Sequence, residues 1–105
     1  MGECVVYIDK REFVIGEPVY AVLVNNGARP LHLGSWQIID ERANIIFTVE
    51  PPQLLIPPGT SYGIVWFQIN DKGEQVRGGR YRIMWRPRVD SQVIECVSDY
   101  FIIIP

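Results

Sequence analysis

The sequence predicts an all-β, antiparallel sandwich of about seven strands, and three observations predict it. No window of useful length repeats apolar residues at helical spacing between capping residues. Short runs rich in Val, Ile, Tyr, Phe and Trp recur instead, separated by clusters of Gly, Pro, Asn and Asp. Those clusters come roughly every ten residues, a spacing that suits a sandwich rather than parallel strands joined by helices. At 105 residues the chain makes a single domain, 1–105, large enough to bury a core. Its 48% hydrophobic and 21% charged residues are globular composition, not that of a disordered chain.

The strands fall near 4–9, 18–25, 31–40, 44–49, 60–70, 79–87 and 93–104. The first, "CVVYID", stops at the charged stretch "KRE". The second begins after "GEP" and ends in "NNGARP"; the third and fourth are parted by "DERAN". "EPPQLLIPPG" closes the fourth, because four prolines keep it out of a central strand. "NDKGEQVRGG" separates the fifth from the sixth, and "RPRVDSQ" the sixth from the last. In "GRYRIMWRPR" a period of two puts Tyr81, Ile83 and Trp85 on one face and Arg80, Arg82, Met84, Arg86 and Arg88 on the other. Gly78 and Gly79 therefore end a turn, where glycine supplies backbone angles other residues resist. A phosphate-cradling loop would need a helix behind it, and here a strand follows. The expected core contains Val22, Val24, Trp36, Ile38, Ile64, Trp66, Tyr81, Ile83, Trp85 and Phe101.

Four stretches, in order, carry a family resemblance: "FVIGEPVYAVLVNNGARPLHL", "LIPPGTSYGIVWFQIND", "KGEQVRGGRYRIMW" and "SDYFIIIP". A Gly-Glu-Pro-Val lead into a strand ending Asn-Asn-Gly is followed by a Pro-Gly lead into a Trp-containing strand. A Gly-x-Tyr-x-Ile strand and a closing Phe-x-Ile strand complete the series. From Phe13 to Ile104 it resembles prokaryotic immunoglobulin-like β-sandwich domains, and among them is similar to the bacterial intracellular proteinase inhibitor family. The resemblance implies an immunoglobulin-like sandwich and a protease as partner. Chagasin-type cysteine protease inhibitors share only an Arg-Pro dipeptide, Arg86-Pro87; their Asn-Pro-Thr-Thr-Gly and Gly-x-Gly-Gly loops have no match.

Composition and spacing argue against catalysis and cofactors. His32 is the only histidine and has no Ser-Asp or Cys partner set nearby in sequence. Cys4 and Cys96 stand at opposite ends of the chain, without metal-site spacing. Asp40-Glu41 and Asp71 with Glu74 fall in turns, where carboxylates are ordinarily solvated. The formal net charge of −2 gives no field to attract nucleic acid, and Arg-Gly-Gly-Arg occurs once. No apolar run approaches the roughly 18 residues of a membrane span. The N-terminus lacks a signal-peptide pattern, and Val6 occupies the position where myristoylation needs Ser or Thr. The reading is a cytoplasmic protein as the sequence stands, or an excised domain of an exported one.

What remains is binding. Cys4 and Cys96 face each other if the first strand runs beside the last. A bridge would then close a loop of roughly 90 residues, worth about 4–5 kcal/mol, and the alternative is two buried thiols. Arg77, Arg80, Arg82, Arg86 and Arg88, with Met84 among them, offer planar forks to an acidic partner or a second subunit. The competing reading is a solvated face paired to Glu95 and Asp99. Leu54, Leu55 and Ile56, between prolines, make either a stiff protrusion for a protease cleft or a crossover tucked into the core. "NNGARP" and "RPRVDSQ" are further candidate contact loops. "YFIIIP" should alternate Phe101 and Ile103 against Tyr100, Ile102 and Ile104, and at a sheet edge would pair with its copy in a homodimer. The function expected is a non-enzymatic protein-binding module, with a protease or a second copy as partner. The alternative is an assembly or adhesive module that works through edge strands and the arginine face.

Overall fold

In the computed structural model, which describes residues 3–105, the chain forms eleven strands and, among those residues, no helix. One sheet has three strands in the order β1 (Cys4–Ile8), β3 (Val19–Asn25), β7 (Ser61–Trp66). The other runs β2 (Glu12–Val14), β11 (Phe101–Ile104), β8 (Gly79–Val89), β4 (Leu31–Asp40), β5 (Ile45–Val49). Short β6 (Leu55–Ile56) lies on β4, and β9 (Gln92–Val93) and β10 (Cys96–Val97) lie on β8. Every strand pair is antiparallel except β2 with β11, which is parallel.

The seven expected strands are there, with informative departures. The last one, expected over 93–104, is broken into β9, β10 and β11. Ser98 holds the break against β8: its N–H donates to the Ile83 carbonyl (2.9 Å), and its Oγ accepts from Ile83 N–H (2.9 Å) and donates to the Asp99 carbonyl (2.8 Å). The strand expected to reach residue 70 stops at Trp66, because Gln68 takes a positive φ of 60°. β2 and β6 have three and two residues, too few for an alternating pattern to register. "YFIIIP" is not an edge strand: β2 pairs along its outer side, at Ile102, Ile103 and Ile104. Its face pattern is as expected, with Phe101 and Ile103 buried and Ile102 and Ile104 exposed.

Between the sheets, Phe13, Trp66, Tyr81 and Phe101 pack edge to face or tilted, with ring centroids 5.5 Å (Phe13–Phe101), 5.7 Å (Trp66–Tyr81) and 6.2 Å (Trp66–Phe101) apart. Trp36 tilts against Phe47 at 6.0 Å, and fully buried Trp85 donates its indole N–H to the Leu33 carbonyl. The expected core holds except for Val22 and Val24, which point outward. In β3 the buried row is Val19, Ala21, Leu23 and Asn25. Both faces of that strand are apolar but for Asn25, so a period of two cannot tell inside from outside. Asn25 can be buried because its amide is satisfied locally: Nδ2 donates to the carbonyls of Arg29 (2.9 Å) and Ile56 (2.8 Å), and Oδ1 accepts from Gly27 N–H (2.9 Å).

Two glycines are fixed by close approach. A Cβ at Gly34, whose φ is +67°, would sit 2.1 Å from the Arg86 carbonyl oxygen; this marks the bulge of β4 between His32 and Ser35. At Gly78 a Cβ would lie 2.7 Å from Pro105 Cδ, so that glycine serves room rather than the unusual backbone angle expected of it.

Candidate binding surface

Strand register gathers three separate segments at one end of the sandwich. His32 pairs with Leu55 of β6 and with Arg88 of β8, while Arg88 pairs with Val93 of β9. The links 26–30, 50–54 and the turn at Asp90-Ser91 therefore lie side by side. Asn25 fastens the first to the proline segment through its two donated bonds. Arg29 and Asp90 form an ion pair at 2.7 Å, joining "NNGARP" to "RPRVDSQ". The Leu33 N–H donates to the Leu54 carbonyl at 2.9 Å, which anchors the proline segment to the bulged part of β4.

Within "EPPQLLIPPG" the two expectations divide. Leu54 and Leu55 are 43% and 53% exposed, and so form the protrusion. Ile56, expected as a contact residue, is only 3% exposed: pairing with Leu31 turns its side chain into the core. Beside the leucines lies a concavity of about 310 Å³ walled by His32, Gly34, Glu50, Pro51, Pro52 and Arg88.

The arginine face is less open than the sequence implies. Arg80 and Arg82 both stack on the Tyr100 ring, at 4.7 and 4.6 Å from its centre. Arg86 pairs with Glu95 at 3.2 Å, as the solvated-face reading expected, but Asp99 pairs instead with Arg11 at 2.8 Å. Arg88 donates its Nε–H to the Asp90 carbonyl. Met84, expected as an exposed contact, is 9% exposed: Gln37 and Val97 flank it across the sheet and Arg86 reaches its sulfur at 3.8 Å. Arg77 lies off the strand at the opposite end, where its carbonyl accepts the Tyr81 hydroxyl proton.

Cys4 and Cys96 form a disulfide, with their Cα atoms 6.0 Å apart, inside the range a bridge requires. It joins β1 of one sheet to β10 on the other.

A cleft of about 570 Å³ opens at the far end, between β5 and the 70–77 segment, and includes Asp40, Asp71, Glu74 and Tyr81. Its two aspartates are engaged with the backbone, and Glu74 accepts the Asn70 side-chain amide. Asp40 accepts the N–H groups of Arg42 and Asn44, and Asp71 accepts that of Thr48. Burial alone would raise the Asp40 pKa, but these bonds and the Asn44 side chain outweigh it and hold the carboxyl below its usual range. Desolvation and then the Asp40 charge push the Tyr81 hydroxyl up, against a smaller opposing effect of Arg77. Among the described residues no three of His, Cys, Asp and Glu are grouped to hold a metal.

Two sheets of this topology, with the first strand shared between them through β1 and β2, make the chain an immunoglobulin-like β-sandwich domain. No protein-family model matches it, and no curated protein matches its sequence. Among solved structures it is similar to the Northeast Structural Genomics Consortium target SoR45, at 17% identity and a TM-score of 0.62, over 94% of this chain and 84% of that one. FlgD from P. aeruginosa matches at 14% identity and a TM-score of 0.56, over 95% and 72%. The CARDB domain of the PF1109 protein from Pyrococcus furiosus matches at 8% and 0.54, over 96% and 85%. At such identities the likeness speaks for the sandwich and not for the inhibitor family that the motifs resemble.

Proposed function

We propose that the domain is a non-enzymatic protein-binding module that grips its partner with the loop end, and that in its most specific form it is a protease inhibitor. The observation that carries this is the pair Leu54 and Leu55, held exposed between Pro51-Pro52 and Pro57-Pro58. Prolines, the Leu33–Leu54 backbone bond and the Asn25–Ile56 bond order the segment before any partner arrives, so binding would cost little further entropy. Two apolar side chains beside a walled concavity are the kind of anchor that dominates interface energetics. The cystine favours work in an oxidising compartment. The alternative, assembly through the arginine face, draws on exposed Val93, Val97 and Ile102 beside that row. It has less support, because Arg80, Arg82 and Arg86 already have aromatic or acidic partners within the chain.

Residual activity of a subtilisin-type serine protease and of a papain-type cysteine protease, titrated with the domain, tests the inhibitor form. Stoichiometric loss of one activity, with the added chain left uncut, is the expected result. Full activity of both enzymes at saturating excess, or cleavage of the domain at Leu54 or Leu55, would overturn it.

A further inference from the structure

Two sheets have four edges, and those along β5 and β2 are blunted within the chain. Along β5, Asp71 imitates a neighbouring strand: its N–H donates to the Ile46 carbonyl (3.2 Å) and its Oδ1 accepts from Thr48 N–H (3.0 Å). β2 is three residues long and carries an outward Glu12. β1, one residue shorter than β7, has its Cys4 end pinned by the disulfide to β10 of the other sheet. Short edges, charges and covering segments are the usual ways of blunting an edge against pairing.

β7 has none of these. Its six residues, "SYGIVW", contain no charge and no proline, and pair with β3 in unbroken register. Among the described residues no backbone bond from a turn or loop reaches Ser61–Trp66. A Cβ on Gly63 would meet nothing within 4 Å. The outer face of its sheet is also uncharged: Val5 and Tyr7 on β1, Tyr20, Val22 and Val24 on β3, Val65 on β7. Tyr7 and Tyr20 are more than half exposed.

We propose that β7 pairs antiparallel with β7 of a second copy, with Gly63 opposite Gly63, to give a continuous six-stranded sheet β1-β3-β7-β7-β3-β1 across a two-fold axis. This register keeps each residue on its own face: Ser61 meets Val65, and Tyr62 meets Ile64. A second copy fits better than a foreign strand for two reasons. Self-pairing of an uncharged strand meets no like-charge repulsion. Strand addition to an unrelated peptide draws its specificity from side-chain pockets along the edge, and the two concavities described above lie against the other sheet. The contact uses neither the leucines of the loop end nor the arginine face.

Sedimentation over a range of concentrations tests it. The wild-type chain shifts from one to two chain masses, while Gly63→Lys and Gly63→Glu, each placing like charges face to face, stay monomeric with unchanged circular dichroism. An equal mixture of the two regains the double mass, because Lys now faces Glu. Arg80→Glu with Arg82→Glu leaves the dimer intact. A wild-type chain that stays monomeric throughout, single Gly63 variants that still dimerise, or a mixture that stays monomeric would overturn the proposal. So would dimerisation lost through the arginine pair.

Discussion

Gln68 is fully buried in a left-handed conformation that few non-glycine residues adopt, and its amide is used at every position. Nε2 donates to the carbonyls of Val14 (2.8 Å) and Glu17 (2.7 Å), and Oε1 accepts from Gly16 N–H (3.1 Å) and Gln75 Nε2 (2.9 Å). One side chain thus joins the β2–β3 turn to the connection between β7 and β8. Gln68→Ala strands those carbonyls and should lower stability by about 2–3 kcal/mol, read from urea unfolding. Gln68 in "FQIND" reads as one more residue of the strand expected over 60–70, and only the structure reveals it as a joint. Trp85 and Ile83 were legible because arginine marks the opposite face of β8. Val22 and Val24 were misread because no polar residue marks either face through the middle of β3.

Among the elements, the β4–β5 hairpin is closed by Asp40, whose Oδ1 accepts two backbone N–H groups while Oδ2 accepts Asn44 Nδ2 at 3.1 Å. Ala43 at φ 65° completes the turn. The Asp40 pKa is lowered from 3.8 on folding, so its contribution to stability is fully present above the unfolded value and is lost as pH falls through the folded one. Asp40→Ala should therefore lower the melting temperature at neutral pH, and the difference from wild type should shrink below about pH 4. A constant difference down to strong acid would contradict the assignment. Turns such as this one were visible in "DERAN" as a cluster of turn residues. The division of 93–104 into three strands was not, since it depends on where Ser98 meets Ile83.

For the whole molecule, the disulfide closes a sequence separation of 92 residues and locks the two sheets at one margin. Reduction, or Cys4→Ser with Cys96→Ser, should cost about 4–5 kcal/mol in the chain-entropy account, measured as the shift in denaturant midpoint with and without reductant. The sequence left the bridge open because the spacing of two cysteines does not reveal which strands adjoin. The proposed binding surface was legible only in pieces. "NNGARP", "EPPQLLIPPG" and "RPRVDSQ" each read as a candidate loop, yet nothing local to them tells that His32, Leu55 and Arg88 share one end. Long-range register does that, and register emerges from the assembled core.

The account rests most on that loop end. The most direct measurement compares protease inhibition by the wild-type domain, by Leu54→Ser with Leu55→Ser, and by Arg80→Glu with Arg82→Glu. Since both leucines are about half exposed, their replacement should leave the fold intact. The account predicts inhibition abolished by the serine pair and kept by the glutamate pair. Inhibition that survives the first and disappears with the second would move the contact to the arginine face and contradict it.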